Sequence, residues 1–306
     1  MAGRLEGKVA VVTGAGRGIG RGEALLLAQE GAAVVVNDIG GATDGTGQSS
    51  SPADEVVAEI RAAGGRAVAN YDTVATMEGG QRIVQTALGS FGRLDIVVNN
   101  AGILRDRMFH NMTEEDWDAV VAVHLKGHFA VSRAAAVIFR EQRSGRIVNT
   151  SSLSGLGWMG QANYSTVKEG IVGFTRTVAR DLGGYGVTVN AIRPGAGTRL
   201  TLTDNLRASA GKAAKVGQTE LADGLKNLEE WKPEYVAPLV VWLCTDQAAH
   251  VNGRIFLVMG PTVALYPEPE PIRTLYNQHG YWTVDELLGA MPGITKDLVN
   301  PAPPRP

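Results

Sequence analysis

The stretch Val9-Ala10-Val11-Val12-Thr13-Gly14-Ala15-Gly16-Arg17-Gly18-Ile19-Gly20 decides how the rest of the chain folds. Its β-branched run indicates a buried strand, its glycines indicate a tight turn, and the amphipathic residues that continue to Glu30 indicate a helix. Further short strand-like runs alternate with helical patterns, at 33–37, 67–70, 96–99, 146–150, 187–192 and 255–258. Near-continuous apolar strands separated by helices are typical of a parallel sheet covered on both faces, so we predict an α/β fold with a single doubly wound sheet of about seven strands.

Composition excludes several classes of function. The chain has 306 residues, a formal net charge of -2 and one cysteine, Cys244. The balanced charge and the absence of a Lys/Arg run argue against a nucleic-acid partner, and no apolar run approaches the roughly 20 residues that span a bilayer. A single cysteine cannot form an internal disulfide and fits a reducing compartment. With no signal-peptide pattern before Val9, we expect a cytoplasmic protein that binds neither nucleic acid nor membrane.

Some segments depart from the strand–helix alternation. We predict that residues 1–260 form one domain, and that 201–231, which is long, polar and rich in Ala and Lys, is a mobile substrate loop within it. Residues 40–50 form a Gly/Thr/Ser-rich insertion after the second strand. Residues 261–306 form a Pro-rich C-terminal extension, in which Thr283 begins a pattern typical of a short capped helix.

The glycines after the first strand predict a dinucleotide site of the Rossmann type. They let the backbone approach a pyrophosphate, and free N–H groups at a helix start favour an anion. The residues of this turn that we expect to contact the nucleotide are Gly14, Gly16, Arg17, Gly18, Ile19 and Gly20. Asp38 ends the second strand, where a carboxylate accepts hydrogen bonds from ribose hydroxyls and repels a 2′-phosphate. We therefore predict NAD as the cofactor; Arg17 leaves NADP open, because it could support that phosphate.

Polar residues also follow the third and fourth strands. The carboxyl ends of parallel strands meet at one edge of a sheet, where ligands bind. We accordingly expect the adenine and ribose side of the cofactor groove to include Asp72, Thr73, Asn100, Ala101 and Gly102. Simple turn chemistry is the alternative for each of them.

Tyr164 and Lys168 lie one helical turn apart on the same helix face. A phenol titrates near pH ~10, and a neighbouring ammonium lowers its pKa toward neutrality. Ser151 and Ser152 end the fifth strand at the same sheet edge, where a hydroxyl could hold a substrate carbonyl while Tyr164 exchanges a proton. The pattern predicts a proton-transfer site beside the cofactor.

These motifs together resemble the short-chain dehydrogenase/reductase family. The resemblance covers about residues 5–260 and rests on 13–20, 99–102, a strand-end serine, Tyr164-x-x-x-Lys168 and Arg193-Pro194-Gly195. The runs 36–41, 69–72, 99–107, 124–127 and 232–239 are similar to the (3R)-hydroxyacyl-CoA dehydrogenase domain of peroxisomal multifunctional enzyme type 2 and its bacterial single-domain relatives.

The resemblance implies a function and roles for residues. It implies oxidation of (3R)-3-hydroxyacyl-CoA thioesters with NAD, with Tyr164 as general acid/base and Lys168 lowering its pKa and holding the nicotinamide ribose. It further implies that Pro194, Gly195 and Thr198 lie along the nicotinamide and its phosphates. The implied partners are a small-molecule substrate, an acyl-CoA thioester or a steroid, and further copies of the chain in a homodimer or homotetramer. The alternatives are a 17β-hydroxysteroid dehydrogenase, an NADPH-dependent 3-oxoacyl reductase and a catalytically silent nucleotide-binding protein.

The catalytic serine and His124 need a choice. Counting back from Tyr164 at the spacing usual in relatives gives Ser151, whereas counting along the strand from Arg146 gives Ser152. Strand position fixes geometry more firmly than loop length, so we predict Ser152. His124 stands where the wider family usually has asparagine, and we favour a structural role over a part in a proton relay. We predict no metal site, because residues 113–117 read as an N-cap and an acidic first helical turn.

Overall fold

The computed structural model describes residues 3–203, 207 and 220–301. Its strands are β1 (Val9–Thr13), β2 (Ala33–Asn37), β3 (Arg66–Asn70), β4 (Ile96–Asn99), β5 (Gly145–Thr150), β6 (Val187–Gly195), β7 (Ile255–Met259) and β8 (Thr262–Leu265). Its helices are α1 (Gly18–Gln29), α2 (Ser51–Ala62), α3 (Met77–Phe91), α4 (Glu114–Val121), α5 (Gly127–Gln142), α6 (Ala162–Gly183), α7 (Glu220–Glu230), α8 (Ala237–Cys244), α9 (Val284–Ala290) and α10 (Pro292–Thr295).

The described strands form one sheet in the order β3-β2-β1-β4-β5-β6-β7-β8. Strands β1 to β7 run parallel, and the order reverses between β1 and β4. A doubly wound sheet binds ligands in the crevice at this reversal, beyond the carboxyl ends of its strands. The predicted fold class is therefore confirmed, and the reversal places the candidate site next to the turn that follows β1.

The sheet contains one strand beyond the predicted seven. Strand β8 runs antiparallel to β7 after a tight turn at Gly260, whose φ of +51° suits glycine. It lies in residues that we had placed at the start of the Pro-rich extension. Tyr266 ends the compact unit that contains the sheet, and a second unit begins at Pro267. In that second unit Thr283 and Glu286 form a reciprocal capping box, which confirms the short capped helix.

Alternating residues of the strands feed two apolar layers. Ala10 and Val12 of β1 pack on the face covered by α1, α2 and α8, whereas Val9 and Val11 pack on the face covered by α3, α5 and α6. All four side chains are buried. Burial of one valine side chain contributes about 1.5–3 kcal/mol to folding stability. Packing on both faces therefore stabilises the sheet and positions the loops at the carboxyl ends of its strands.

Only part of the predicted substrate loop 201–231 can be compared with the structure. Residues 204–206 and 208–219 lie outside the described residues. Residues 220–230 form α7, so the described part of this segment is largely helical, and its role as a mobile substrate loop stays a prediction. The helix is followed by Trp231, whose carbonyl accepts a hydrogen bond from the Gly197 N–H at 2.8 Å and whose indole lies against Gly260. These contacts attach the end of α7 to the sheet.

Glu23 of α1 generates a prediction about stability. Its side chain is buried, and among the described residues neither carboxyl oxygen has a hydrogen-bond partner. Burial raises the pKa of Glu23 to about 8, from 4.5. Between these two values the folded state holds a proton that the unfolded state has lost, so the free energy of unfolding falls as the pH rises through this window. Glu23→Gln should remove that slope and stabilise the fold above pH 8 by a few kcal/mol relative to wild type, roughly as linkage requires.

Urea denaturation of both proteins at acidic and alkaline pH measures this effect. The exposed Glu141→Gln is the matched control and should keep the wild-type pH dependence. An unchanged slope in Glu23→Gln would show that Glu23 is not the titrating group.

Candidate functional site

A cavity of about 920 Å³ lies at the strand-order reversal. It brings together most residues that the sequence assigned to the cofactor, namely Gly14, Arg17, Gly18, Ile19, Asp38, Asp72, Thr73, Asn100, Ala101, Gly102 and Thr198. The other predicted residues do not line it: Gly16, Gly20, Ser152, Tyr164, Lys168, Pro194 and Gly195. The site therefore consists of a large groove and a separate cluster that contains the predicted proton-transfer residues.

The turn after β1 is built for close approach of a ligand. Gly14 has a φ of +64°, and a Cβ there would lie 2.7 Å from the Ala101 Cα. Asn100 donates from Nδ2 to the carbonyls of Thr13 and Gly14, at 3.0 and 3.1 Å, and so fixes the turn. Helix α1 begins after Arg17 without a side-chain cap, which leaves N–H groups of its first turn for an anion. These features fit the pyrophosphate of a dinucleotide.

Asp38 closes one end of the cavity. One carboxyl oxygen accepts from the Gly16 N–H at 2.9 Å and the other from the Gly40 N–H at 2.6 Å. Arg17 and Arg199 also line the cavity. The pKa of Arg199 is lowered by burial and by the charge of Arg17, while Asp38 opposes the shift, so these three charged groups act on one another. Two cations and one carboxylate thus line the same cavity and interact with one another.

The insertion 40–50 contributes to the same cavity, which the sequence did not indicate. Gly41, Ala42, Gly45, Gly47 and Gln48 line it. Arg105 donates to the Asp44 carbonyl at 3.0 Å and Arg199 to the Gly41 carbonyl at 3.2 Å. The Leu104 N–H also donates to the Thr43 carbonyl at 2.9 Å. These contacts hold the insertion at the cavity. The sequence feature that could have indicated this role is the glycine-rich run that follows Asp38 at the end of β2.

Asp72 and Thr73 line the cavity and also stabilise their own turn. Asp72 accepts from Asn70 Nδ2 at 2.9 Å and pairs with Arg82. The Thr73 hydroxyl accepts from the Ala75 N–H at 3.2 Å. Turn chemistry is therefore present at both positions, together with a place in the cavity wall.

Lys168 and the end of β5 are joined by two buried hydrogen bonds. The Lys168 Nζ donates to the Thr150 carbonyl at 2.6 Å, and the Ser151 hydroxyl donates to the Lys168 carbonyl at 2.7 Å. Ser151 is thereby committed to the backbone of α6. Ser152 instead accepts from the Ser154 N–H at 3.1 Å, and its hydroxyl forms a hydrogen bond with Tyr164. The structure thus brings Ser152, Tyr164 and Lys168 together.

Burial outweighs any effect of Lys168 on the pKa of Tyr164. Burial raises the pKa of Tyr164 to about 12. The hydrogen bond with Ser152 lowers this pKa, and the charge of Asp106 raises it further, but both effects are smaller than that of burial. Burial also lowers the pKa of Lys168 to about 7. The Nζ lies 5.4 Å from the centre of the Tyr164 ring and donates to a carbonyl, so the desolvation of each group outweighs their attraction. Helical spacing predicted the shared face but carried no information on burial.

His124 packs directly beneath Tyr164. The two rings meet edge to face with their centres 5.2 Å apart, and His124 Nε2 lies 2.8 Å from the Ile103 carbonyl oxygen. A Cβ on Gly102 would lie 2.5 Å from the His124 ring, so this contact requires glycine. Burial and the charge of Lys168 hold the pKa of His124 well below its usual value. The neutral, packed ring agrees with the structural role that we favoured.

The described residues contain neither a cluster of metal ligands nor a helix that could cross a membrane. No three His, Cys, Asp or Glu side chains lie close enough together there to hold a metal ion. In the same part of the chain, each helix is too short or too polar to cross a bilayer.

Comparison with known proteins gives a family match and close relatives. The family model for short chain dehydrogenases matches residues 8–210. Peroxisomal multifunctional enzyme type 2 of Mus musculus is 50% identical over 256 residues, which are 83% of this chain and 32% of that enzyme, so the chain spans about a third of its length. Hydroxyacyl-CoA dehydrogenase ChsB1 of Mycobacterium tuberculosis is 43% identical over 94% of this chain and 88% of that protein.

A solved structure agrees over nearly the whole chain. The crystal structure of a short chain dehydrogenase from Mycobacterium avium has a TM-score of 0.80 and 42% sequence identity, covering 98% of this chain and 99% of that chain. Its similarity extends the family match beyond residue 210.

Proposed function

The chain belongs to the short-chain dehydrogenase family, whose fold binds a nicotinamide dinucleotide, and on that premise we propose that it oxidises (3R)-3-hydroxyacyl-CoA thioesters with NAD. The observation that carries the proposal is the cluster of Ser152, Tyr164 and Lys168 at the end of β5, on the edge that bears the nucleotide cavity. A silent nucleotide-binding protein would have no use for a buried lysine beside a partly buried phenol at this place.

The proposed roles follow from the contacts of each residue. The nicotinamide, when bound, supplies the acceptor for the hydride that leaves the substrate carbinol carbon. Ser152 holds the alcohol oxygen by its hydroxyl, and Tyr164 takes the hydroxyl proton as the carbonyl forms. Lys168, whose pKa lies at about 7, can pass a proton onward near neutral pH and stabilises the phenolate while it exists. Reduction is the same set of transfers reversed, with the phenol as the acid.

Two apolar loops beside Tyr164 support a substrate with a large apolar part. We call residues 108–109 and 156–159 the apolar loop pair; it exposes the large side chains Met108, Phe109, Leu156, Trp158 and Met159. The Arg107 N–H donates to the Gly160 carbonyl at 2.9 Å, which holds the two loops side by side. Adjoining exposed apolar side chains mark a binding surface more often than an ordinary surface. The apolar acyl chain of a thioester would match the apolar side chains of this loop pair.

The preference for NAD rests on the Asp38 carboxylate. Its two oxygens are held by backbone N–H groups of the glycine turn and of the insertion, so it cannot readily turn away from a 2′-phosphate. Arg17 and Arg199 at the same end of the cavity favour the second candidate, an NADPH-dependent 3-oxoacyl reductase. We favour NAD because the carboxylate is the more firmly fixed group.

Assembly and location stay predictions. We propose a homodimer or homotetramer built on α5 and α6, because α5 exposes Phe129 and Val137 and Gly173 of α6 faces open space. A cytoplasmic location is the corresponding proposal from the single cysteine.

The roles of the two serines and of the tyrosine can be separated by single variants. Tyr164→Phe and Ser152→Ala should each lower kcat by about 100-fold or more, which is the usual size of a lost proton-transfer group. Both should bind NAD normally in a fluorescence titration. Ser151→Ala is the matched control: it removes one hydrogen bond to the Lys168 carbonyl and should cost less than about tenfold in kcat and about 1 kcal/mol in stability. Greater damage from Ser151→Ala would move the catalytic assignment to Ser151.

The proposed cofactor preference predicts the ratio of kcat/KM with NAD to kcat/KM with NADP. Wild-type kcat/KM should favour NAD over NADP by about tenfold or more, since a carboxylate beside the 2′-phosphate costs at least about 1.4 kcal/mol. Asp38→Asn should reduce this ratio, and Asp118→Asn, an exposed change on α4, should leave it unchanged. A wild-type preference for NADP would refute the argument from Asp38 and favour the reductase.

The substrate class predicts a dependence on acyl length. With a series of (3R)-3-hydroxyacyl-CoA thioesters, kcat/KM followed by NADH absorbance should rise about two- to fourfold per methylene while the chain still lies on the apolar loop pair. Trp158→Ser should flatten this dependence. Trp242→Ser on α8, a partly exposed tryptophan outside the pair, should not. Turnover of 17β-hydroxysteroids with no turnover of any thioester would contradict the proposal.

A further inference from the structure

Arg193 lies near the end of β6 with its side chain almost entirely buried. It precedes Pro194 and Gly195 in the chain, and only 4% of its side chain is exposed. Its neighbour Ile192 packs in the apolar layer covered by α1, α2 and α8. Because side chains alternate along a strand, Arg193 is directed to the opposite face of the sheet, which α6 covers. A buried guanidinium needs acceptors for its N–H groups, and these acceptors indicate its role.

The guanidinium joins the end of β5 to α6. Arg193 Nη1 donates to the Ser152 carbonyl at 3.3 Å, and Nη2 donates to a carboxyl oxygen of Glu169 at 2.7 Å. The Ser152 carbonyl also accepts from the Gly155 N–H at 3.2 Å. Ser152 belongs to the proposed proton-transfer cluster, and Glu169 directly follows Lys168 of that cluster. One side chain therefore bridges the two segments that carry the cluster.

Glu169 and Tyr266 hold the guanidinium in place. A Cβ on Gly155 would lie 2.9 Å from the same carboxyl oxygen of Glu169 that Arg193 binds, so this carboxylate is packed between Arg193 and the turn after Ser152. The guanidinium carbon lies 4.9 Å from the centre of the Tyr266 ring, within the range of a cation–π contact. Tyr266 directly follows β8, so the last strand of the sheet leads into the ring that covers the guanidinium.

Stability alone does not explain a cation at this place. Moving a charged side chain out of water costs free energy, and replacing a buried ion pair with apolar side chains of similar volume is often neutral or stabilising. The Arg193 Nε also has no hydrogen-bond partner among the described residues, so part of this cost is not recovered. A planar fork of donors is, by contrast, well suited to holding two oxygens at a fixed separation.

We propose that Arg193 is a positioning residue, which fixes the Ser152 backbone relative to α6 and so sets how the Ser152 hydroxyl faces Tyr164. The inference rests on the proposed role of Ser152 in holding the substrate oxygen. Ser152 has an extended backbone, with a φ of -161° and a ψ of 157°, and it begins the turn 153–156. Among the described residues, the bond that would remain to its carbonyl without Arg193 comes from Gly155 in the same turn, which does not tie it to α6.

Arg193→Met tests the inference, because it keeps an apolar stem of similar length and removes the donors. With the most active (3R)-3-hydroxyacyl-CoA of the length series and NAD, kcat should fall by about 10- to 100-fold, since a displacement of about 1 Å in an active site has an effect of this size. KM and the affinity for NAD in a fluorescence titration should stay within about threefold of wild type. Arg193→Lys keeps a cation that can pair with Glu169 and should recover part of the loss.

A double-mutant cycle separates positioning from a general loss of structure. If Arg193 acts through Ser152, then Arg193→Met should lower kcat by less than about twofold in the Ser152→Ala background, because the hydroxyl that it positions is absent. A general structural defect would lower kcat by the same factor in both backgrounds.

Arg146→Met is the matched control. Arg146 is also a buried arginine, which donates to the Gly186 carbonyl at 3.3 Å and pairs with Asp246 at 3.2 Å. It lies at the start of β5, at the opposite end of that strand from Ser152. Urea unfolding of both methionine variants measures their stability, and Arg146→Met should keep the wild-type kcat whatever its unfolding midpoint.

Glu169 provides a second test if Arg193→Met does not fold. Glu169 is about half exposed, so its substitution leaves the packing of the core in place. Glu169→Ala removes the charged partner that orients the guanidinium and should lower kcat by about three- to tenfold, again without a further effect when Ser152 is Ala. Glu169→Gln keeps an oxygen for Nη2 and should lose less.

The outcomes are distinct. Wild-type kcat in a folded Arg193→Met would overturn the inference, and so would equal losses with and without the Ser152 hydroxyl or an equal loss in Arg146→Met. If only the Glu169 variants fold, equal kcat in Glu169→Ala and Glu169→Gln would overturn it. Failure of the proposed function is a separate result, because it would be seen as wild-type activity in Ser152→Ala itself, before any change at Arg193.

Discussion

The reciprocal contact between Lys168 and the end of β5 is the interaction on which the site depends. One bond runs from the ammonium to the Thr150 carbonyl, and the other returns from the Ser151 hydroxyl to the Lys168 carbonyl. Burying a cation costs free energy unless its hydrogen bonds are met, and here the strand end supplies a partner. Because the two bonds join Lys168 of α6 to Thr150 and Ser151 at the end of β5, they help to position Ser152 relative to Tyr164. They also explain why the neighbouring serines differ: one anchors the helix, and the other is left to face the phenol.

A buried amide network carries this arrangement into the rest of the sheet. Asn99 of β4 donates to the side chain of Asn149 in β5 at 2.9 Å, and Asn149 donates to Thr175 of α6 at 2.9 Å. Asn99 also donates to Ser132 of α5 at 2.9 Å. Buried polar groups specify one arrangement when all are paired, since any shift leaves one unpaired at a cost of about 1–3 kcal/mol. Strand β4 leads into the cofactor groove and β5 into the proton-transfer cluster, so the network keeps the two halves of the site in one frame.

The sequence predicted the parts of this structure that depend on pattern. Strand runs and the glycine turn follow from periodicity, and the structure places these residues accordingly. The choice of Ser152 over Ser151, made from position along a strand, stays a prediction. Strand β8 was missed because it is short, exposed and antiparallel, and so lacks the buried run that marked the others. Spacing along a helix does not report burial, so it could not predict that burial raises the pKa of Tyr164. The contact of Asp106 with Gln161, next to α6, was missed because the two residues are distant in sequence.

The opposite pKa shifts of Tyr164 and Lys168 show which charged form the proposed reaction has to stabilise. Burial disfavours the charged form of both groups: it raises the pKa of Tyr164 and lowers the pKa of Lys168. In oxidation the phenolate must be stabilised as it forms, and among the described residues the groups placed to do so are the Ser152 hydroxyl and the Lys168 ammonium. Lys168 stabilises the Tyr164 phenolate only while its own amino group is protonated. In the proposed oxidation, a higher pH therefore favours the phenolate but removes the ammonium that stabilises it. The raised pKa of Tyr164 and the lowered pKa of Lys168 thus narrow the pH range in which a phenolate and an ammonium coexist. Less burial of the pair would widen this pH range, but it would also weaken the attraction between the two charges, which is strong only where water is excluded.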